Sequence, residues 1–158
     1  MAQEKTNVMR LLGQKKVAFT RHYYACPDGA VDGRSVAALI DLPPERVFKT
    51  LVTRGAGKQY YVFVIPVTGE LDLKAAAKAV GEKSIEMIRQ AELLPLTGYV
   101  HGGCSPLGMK KQFKTVLDES ARDLETMVVS AGKIGAQVEL SPADLANLCR
   151  AEFAPVSK

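Results

Sequence analysis

Apolar residues recur at two spacings along this chain, and the spacing switches several times. Val8, Leu11 and Leu12 lie at helical intervals and predict an amphipathic helix ending between Gly13 and Lys16. Residues 17–24 (VAFTRHYY) are dense in β-branched and aromatic side chains and predict a strand. A loop with Pro and Gly in turn positions follows over residues 26–33. A short helix is expected over residues 34–40, capped by Asp32 and stopped by Pro43-Pro44, which can itself start a helical turn. Residues 47–53 (VFKTLVT) and 60–67 (YYVFVIPV) flank the turn RGAGKQ and predict an antiparallel hairpin. YYVFVI does not alternate, so that strand is expected to be buried on both faces.

The second half follows the same logic. A helix is expected from Leu73 to Val80, between an Asp72 cap and a Gly81 stop. A short strand at residues 85–88 and a helical turn at residues 89–94 precede a Gly/Ser/Pro loop, TGYVHGGCSPLG, at residues 97–108. Residues 115–117, 127–130 and 136–140 read as strands. The last helix has Ser141 as its cap, Pro142 at its first position and Asp144 three residues after the cap. Leu145, Leu148 and Phe153 are expected to form its apolar face. With no repeat, low-complexity tract or linker, the pattern predicts one compact α+β domain over residues 1–158.

Composition narrows the class. At 47% hydrophobic residues and a net charge of +4, the chain can bury a core and is not disordered. No apolar run is long enough to span a bilayer, and the start, MAQEKTNVMRLL, does not read as a secretory signal. Three cysteines without a close pair argue against a disulfide scaffold and for a reducing, cytoplasmic setting. The positive excess is mild, and its longest basic run is Lys110-Lys111, with Lys114 nearby. Without tryptophan, base-stacking platforms are sparse. A polyanionic partner is therefore permitted but not demanded.

Lys49 is the first chemical anomaly. It shares a strand face with Val47 and Leu51, while Phe48, Thr50 and Val52 occupy the other. A lysine there either guards a strand edge, reaches out to water, or lines a polar cavity. The glycine-bearing segments at residues 102–108 and 130–135 are either turns or backbone cradles for an anion. Neither carries a P-loop or dinucleotide fingerprint. His101 and Cys104 have the spacing of half a zinc site, but no second pair accompanies them, so no metal is expected. Cys149 is expected in the core and His22 in a structural role. No serine sits in a nucleophile elbow, so a protein nucleophile with its base is not evident.

Taken together, VFKTL (47–51), PVTGELDL (66–73), Thr97-Gly98-Tyr99, GGCSPLG (102–108), SAGKIG (130–135) and Glu139-Leu140 resemble the YbaK/EbsC family, the bacterial cysteinyl-tRNA(Pro) deacylases. The resemblance covers nearly the whole chain. It implies a curled, mixed, mostly antiparallel sheet flanked by helices. It implies an enzyme that frees tRNA(Pro) of mischarged cysteine, a residue close enough in size to proline to be poorly excluded by a pocket. The substrate's own thiol is implied as the nucleophile, which fits the missing protein nucleophile. Lys49 matches the family's essential lysine, with a charge-stabilising role. Tyr24, Gly102, Ser130 and Gly132 match residues lining the aminoacyl pocket. Gln137 stands where some members have aspartate, and Ala131 where they have glycine. His101 and Cys104 receive no role. The family implies no cofactor, and the partners it implies are the aminoacylated 3′ end of tRNA and prolyl-tRNA synthetase. A monomer is the default expectation, with no membrane association. Two other readings stay open: an Ala-tRNA(Pro) deacylase, and a non-catalytic adaptor of the same fold that binds tRNA or a synthetase.

Overall fold

The computed structural model describes residues 5–26, 29 and 31–158. Pro27, Asp28 and Ala30 of the expected loop, and the first four residues, lie outside the described set. Helix α1 (Asn7–Gln14) is capped by the Thr6 hydroxyl, which accepts the Met9 N–H. Strand β1 (Thr20–Tyr23) leads to helix α2 (Gly33–Leu39), where Asp32 accepts the Ser35 N–H as the sequence predicts. A 3-10 turn at Pro44–Arg46 feeds β2 (Phe48–Gly55), which forms an antiparallel hairpin with β3 (Tyr60–Pro66). Helix α3 (Leu73–Val80) runs from its Asp72 cap to Gly81, and the short β4 (Ile85–Met87) follows.

Helix α4 (Gln90–Thr97) is longer than the helical turn read from the sequence and carries Pro95 inside it. The proline costs one backbone hydrogen bond, and the chain still completes a further turn before Gly98 ends it at φ 86°. The remaining elements are β5 (Lys114–Asp118), β6 (Met127–Lys133), β7 (Ala136–Leu140), α5 (Pro142–Cys149) and β8 (Glu152–Ala154). Phe153 corrects the sequence reading. It does not belong to the last helix, which stops when Arg150 turns left-handed at φ 54°; it lies on β8, beneath the Arg122 guanidinium. An apolar residue a few positions past a helix continues its periodicity by accident, and only the pairing of β8 with β5 distinguishes the two.

The α+β class expected from the sequence is what the structure shows, and its curl takes the form of two sheets. One is antiparallel, in the order β1-β7-β6; the other is mixed, in the order β4-β2-β3-β5-β8. β3, β5 and β8 run parallel, and the remaining pairs run antiparallel. A single bridge between Val47 and Val128 ties the sheets together. The main core lies between them and is closed by α1 and α5, with Leu12, Val62, Val64, Met127, Val138 and Leu145 fully buried. The opposite face of the mixed sheet presents Tyr61, Phe63 and Ile65 to Ala76 and Ala77 of α3. β3 is thus apolar on both faces because both are covered, as its lack of alternation predicts. Among the described residues, no helix is long and apolar enough to cross a membrane.

Candidate functional site

Strand β2 creates the site by what it leaves unpaired. β3 runs along one of its edges for the whole length. Among the described residues the other edge is held only at its ends, by the Val47–Val128 bridge and by β4 opposite Thr53 to Gly55, with the Ile88 N–H reaching the Val52 carbonyl. Between these points a cleft of about 470 Å³ opens, and Val47 and residues 48–52 of β2 contribute to its wall. Lys49 lies in the middle of this unpaired stretch, half-buried, and forms no ion pair among the described residues. The hydroxyl of the neighbouring Thr50 is buried and has no hydrogen-bond partner among the described residues.

The opposite wall comes from the antiparallel sheet. Ser130 on β6 and Gln137 on β7 are direct register partners and are both buried, at 8% and 5% exposure. The Gln137 amide donates to the Tyr24 hydroxyl at 3.5 Å, placing the ring at the end of β1 beside them. The Ser130 hydroxyl accepts the Gly132 N–H at 3.1 Å, which occupies one of its lone pairs and leaves its proton free to donate. The loop after α4 supplies His101, Gly102 and Cys104. The two glycine-bearing segments read separately in the sequence meet here. A Cβ on Gly103 would lie 3.1 Å from the Ile134 backbone nitrogen, so the β6–β7 turn and this loop pack backbone to backbone. Asp32 and Gly33, at the start of α2, complete the rim.

Four of the five site residues expected from the sequence therefore share one cleft: Lys49, Tyr24, Gly102 and Ser130. The fifth, Gly132, lies elsewhere. It lines a second recess of about 450 Å³, and reaches the cleft only through its N–H bond to Ser130. Its φ of +93° needs glycine, and a Cβ there would come within 2.9 Å of the Tyr99 ring. Sequence reading took Asp32 only as a helix cap and gave Thr50 no part. Asp32 is in fact the sole carboxylate among the described residues that line the cleft. Its signal in the sequence was masked by a good local explanation.

The titratable groups fall into two kinds. The Asp32 carboxyl is held below the usual range, chiefly by the Ser35 backbone N–H, so it is anionic at neutral pH. The Cys104 thiol is pushed up to about 12 by burial, and Cys149 likewise. Both stay neutral at pH 7 and are poor nucleophiles. All three cysteines are free. Behind the cleft, Glu139 receives His22 Nε2 at 2.8 Å, Arg46 Nη2 at 2.6 Å and the Thr126 hydroxyl. Burial opposes its ionisation, but these partners together bring its carboxyl below the usual value. His22 is thus committed to a structural contact. Among the described residues, no cluster of His, Cys, Asp and Glu could hold a metal ion.

Comparison with known proteins decides the family. Residues 29–148 match the model of the aminoacyl-tRNA editing domain. The chain belongs to that family. It is 44% identical, over 98% of its length and 94% of the relative's, to the Enterococcus faecalis protein named "Putative Cys-tRNA(Pro)/Cys-tRNA(Cys) deacylase EbsC". It is also 29% identical to YwhH of Bacillus subtilis over 69% of each chain. Among solved structures, a protein described as "a putative trans-editing enzyme for prolyl tRNA synthetase" superposes with a TM-score of 0.81 at 20% identity, covering 99% of both chains. That likeness establishes the shared editing-domain fold, and the 44% identity places the chain beside EbsC within the editing family, as the sequence resemblance implies.

Proposed function

We propose that this protein is a trans-editing deacylase that releases mischarged cysteine from Cys-tRNA(Pro), acting on the aminoacylated 3′ end and alongside prolyl-tRNA synthetase. The observation that carries the reading is the cleft itself. It sets Lys49, Asp32 and the Ser130 and Tyr24 hydroxyls around one space without an activated nucleophile among the described residues. Such a site binds and polarises an ester but does not attack it.

The substrate then supplies the attacking atom. The cysteinyl thiol sulfur bonds to the ester carbonyl carbon, the carbon–oxygen bond to the ribose breaks, and the thiol proton ends on the departing ribose hydroxyl. The products are a four-membered cysteine thiolactone and free tRNA. In this scheme Lys49 neutralises the developing oxyanion or the adjacent phosphate. Asp32 pairs with the α-ammonium, the one cation of an aminoacyl ester. Ser130 donates to the ester, and the backbone at Gly102 closes the pocket. Holding sulfur against carbon in a fixed geometry is itself worth several orders of magnitude in rate. Three free thiols suit a reducing compartment, and we place the protein in the cytoplasm.

The test is deacylation of Cys-, Ala-, Ser- and Pro-tRNA(Pro) by the purified protein. Rapid release of cysteine, with serine far slower because its hydroxyl is a weaker nucleophile, is expected. Faster release of alanine would move the protein to alanine editing. No release of any amino acid above buffer would leave only a tRNA- or synthetase-binding adaptor.

A further inference from the structure

The chain leaves the edge of β2 one residue after its ladder with β4 ends. Met87 stands opposite Thr53, and the Ile88 N–H then reaches the Val52 carbonyl at 3.4 Å. Arg89 keeps an extended backbone, at φ −73° and ψ 148°, before α4 begins. Opposed residues of two paired strands share a face, as do residues two apart on one strand. Met87 and Arg89 therefore continue the face of the sheet that carries Leu51 and Lys49, and all four line the cleft. Lys49 and Arg89 differ in depth. Lys49 is half-buried, whereas the Arg89 side chain is 86% exposed. Among the described residues lining the cleft there is no other lysine or arginine.

The backbone of Arg89 is pinned while its head is left to solvent. Its N–H donates to Glu92 Oε2 at 2.8 Å, and its carbonyl accepts the Glu92 N–H at 2.9 Å. The guanidinium pairs with the same carboxylate only loosely, Nε to Oε2 at 3.7 Å, which is too long for a hydrogen bond. That carboxylate already holds Arg54 Nη2 at 2.9 and 3.0 Å. An exposed pair of such length contributes little. Arg89 thus presents a planar set of N–H donors at the mouth of the cleft.

Outward from an aminoacyl ester held in the cleft, the next anion is the phosphodiester on the 5′ side of the esterified nucleotide. We propose that Arg89 binds this phosphodiester, its fork of donors engaging the non-bridging oxygens, and that Lys49, deeper on the same face, is thereby left to the ester. This rests on the deacylase reading, which supplies the RNA end. A guanidinium matches phosphate oxygens in pairs, which the point charge of a lysine does not. Such a contact positions a chain without reading its bases.

The experiment compares wild type and Arg89→Gln on 3′-O-cysteinyl-adenosine, on its 5′-monophosphate and on Cys-tRNA(Pro). In the wild type the 5′-phosphate is expected to lower KM roughly 10-fold, the gain from a charge-assisted hydrogen bond. In Arg89→Gln the two small esters should agree in KM within about 2-fold. On the tRNA the variant should raise KM and keep kcat, as for a lost ground-state contact. A phosphate advantage that survives in the variant, or a wild type that does not distinguish the two esters, would overturn the proposal. So would an equal fall of kcat on both esters, which would make Arg89 a brace for α4 through Glu92. An unchanged KM for the tRNA beside a lost advantage on the small ester would make this a site for a free nucleotide's phosphate and sink the RNA assignment. Should the wild type release no cysteine from any of the three, the deacylase reading fails instead. Titration with adenosine and 5′-AMP then still tests Arg89: a wild-type preference for 5′-AMP that the variant lacks supports the contact, and equal affinities or a preference kept by the variant overturn it.

Discussion

Lys49 and Asp32 place opposite charges on the wall of one cleft, and neither forms an ion pair among the described residues. An unpaired lysine beside an apolar wall is a poor contributor to folding and a good one to binding. Lys49→Ala is therefore expected to lower kcat/KM for Cys-tRNA by about 10²–10³, within the range for removing one stabiliser of developing charge. The thermal midpoint should hardly move. Wild-type turnover by this variant would remove the lysine from the mechanism. Asp32→Asn separates two roles, because asparagine caps a helix about as well as aspartate. Stability should be kept while KM rises, and an N-acetylated cysteinyl-tRNA, lacking the ammonium, should be handled equally by variant and wild type. Lys49 was visible in the sequence because a charge interrupts an apolar strand. Asp32 was not, because one residue served two purposes and the local purpose sufficed.

The β6–β7 hairpin and the loop after α4 act as one unit. Gly132 sits where the hairpin turns left-handed against Tyr99, and its N–H orients the Ser130 hydroxyl. Gly132→Ala must strain φ and press on the ring, so a loss of about 1–3 kcal/mol is expected. Chemical denaturation measures that loss. Because the backbone N–H remains, residual activity should track how far the hairpin shifts; full stability would show that the turn is not held as described. Most element boundaries were legible in advance. Caps at Asp32, Asp72 and Ser141 are local signals, and each makes its expected hydrogen bond. The β8 strand was illegible, because Phe153 continues the apolar spacing of the preceding helix and the segment becomes a strand only through β5.

At the scale of the molecule, two buried-side carboxylates staple distant segments. Asp118 accepts from the Val156 and Ser157 N–H groups and pins the C-terminal tail, and Glu139 joins β7 to His22 and Arg46. For both, burial works against ionisation, but hydrogen bonds from Ser120 and Val156 in one case, and from Thr126 and His22 in the other, win and lower the pKa. The folded state thus binds fewer protons than the unfolded one. Their contribution is fully present above the ordinary carboxyl values of 3.8 and 4.5 and is lost as pH falls through the lower folded values. Urea midpoints should be flat from neutral pH to about 5 and drop below 4, more shallowly in Glu139→Gln. A variant curve parallel to the wild type would exclude Glu139 from the acid transition.

The sequence alone determined most of the elements, the α+β class and the anomalous Lys49, because caps, periodicity and a misplaced charge are local properties. Its resemblance to an editing family was equally readable, since VFKTL, GGCSPLG and SAGKIG are short contiguous motifs. Tertiary structure decided which of those motifs share a space. The cleft exists because β2 is left unpaired between a one-residue bridge and a three-residue ladder, a fact of register that no local pattern encodes. The same register turned Ser130 into the cleft and Gly132 out of it, although only one residue separates them, because the left-handed turn at Gly132 carries the chain around Tyr99 into the neighbouring recess.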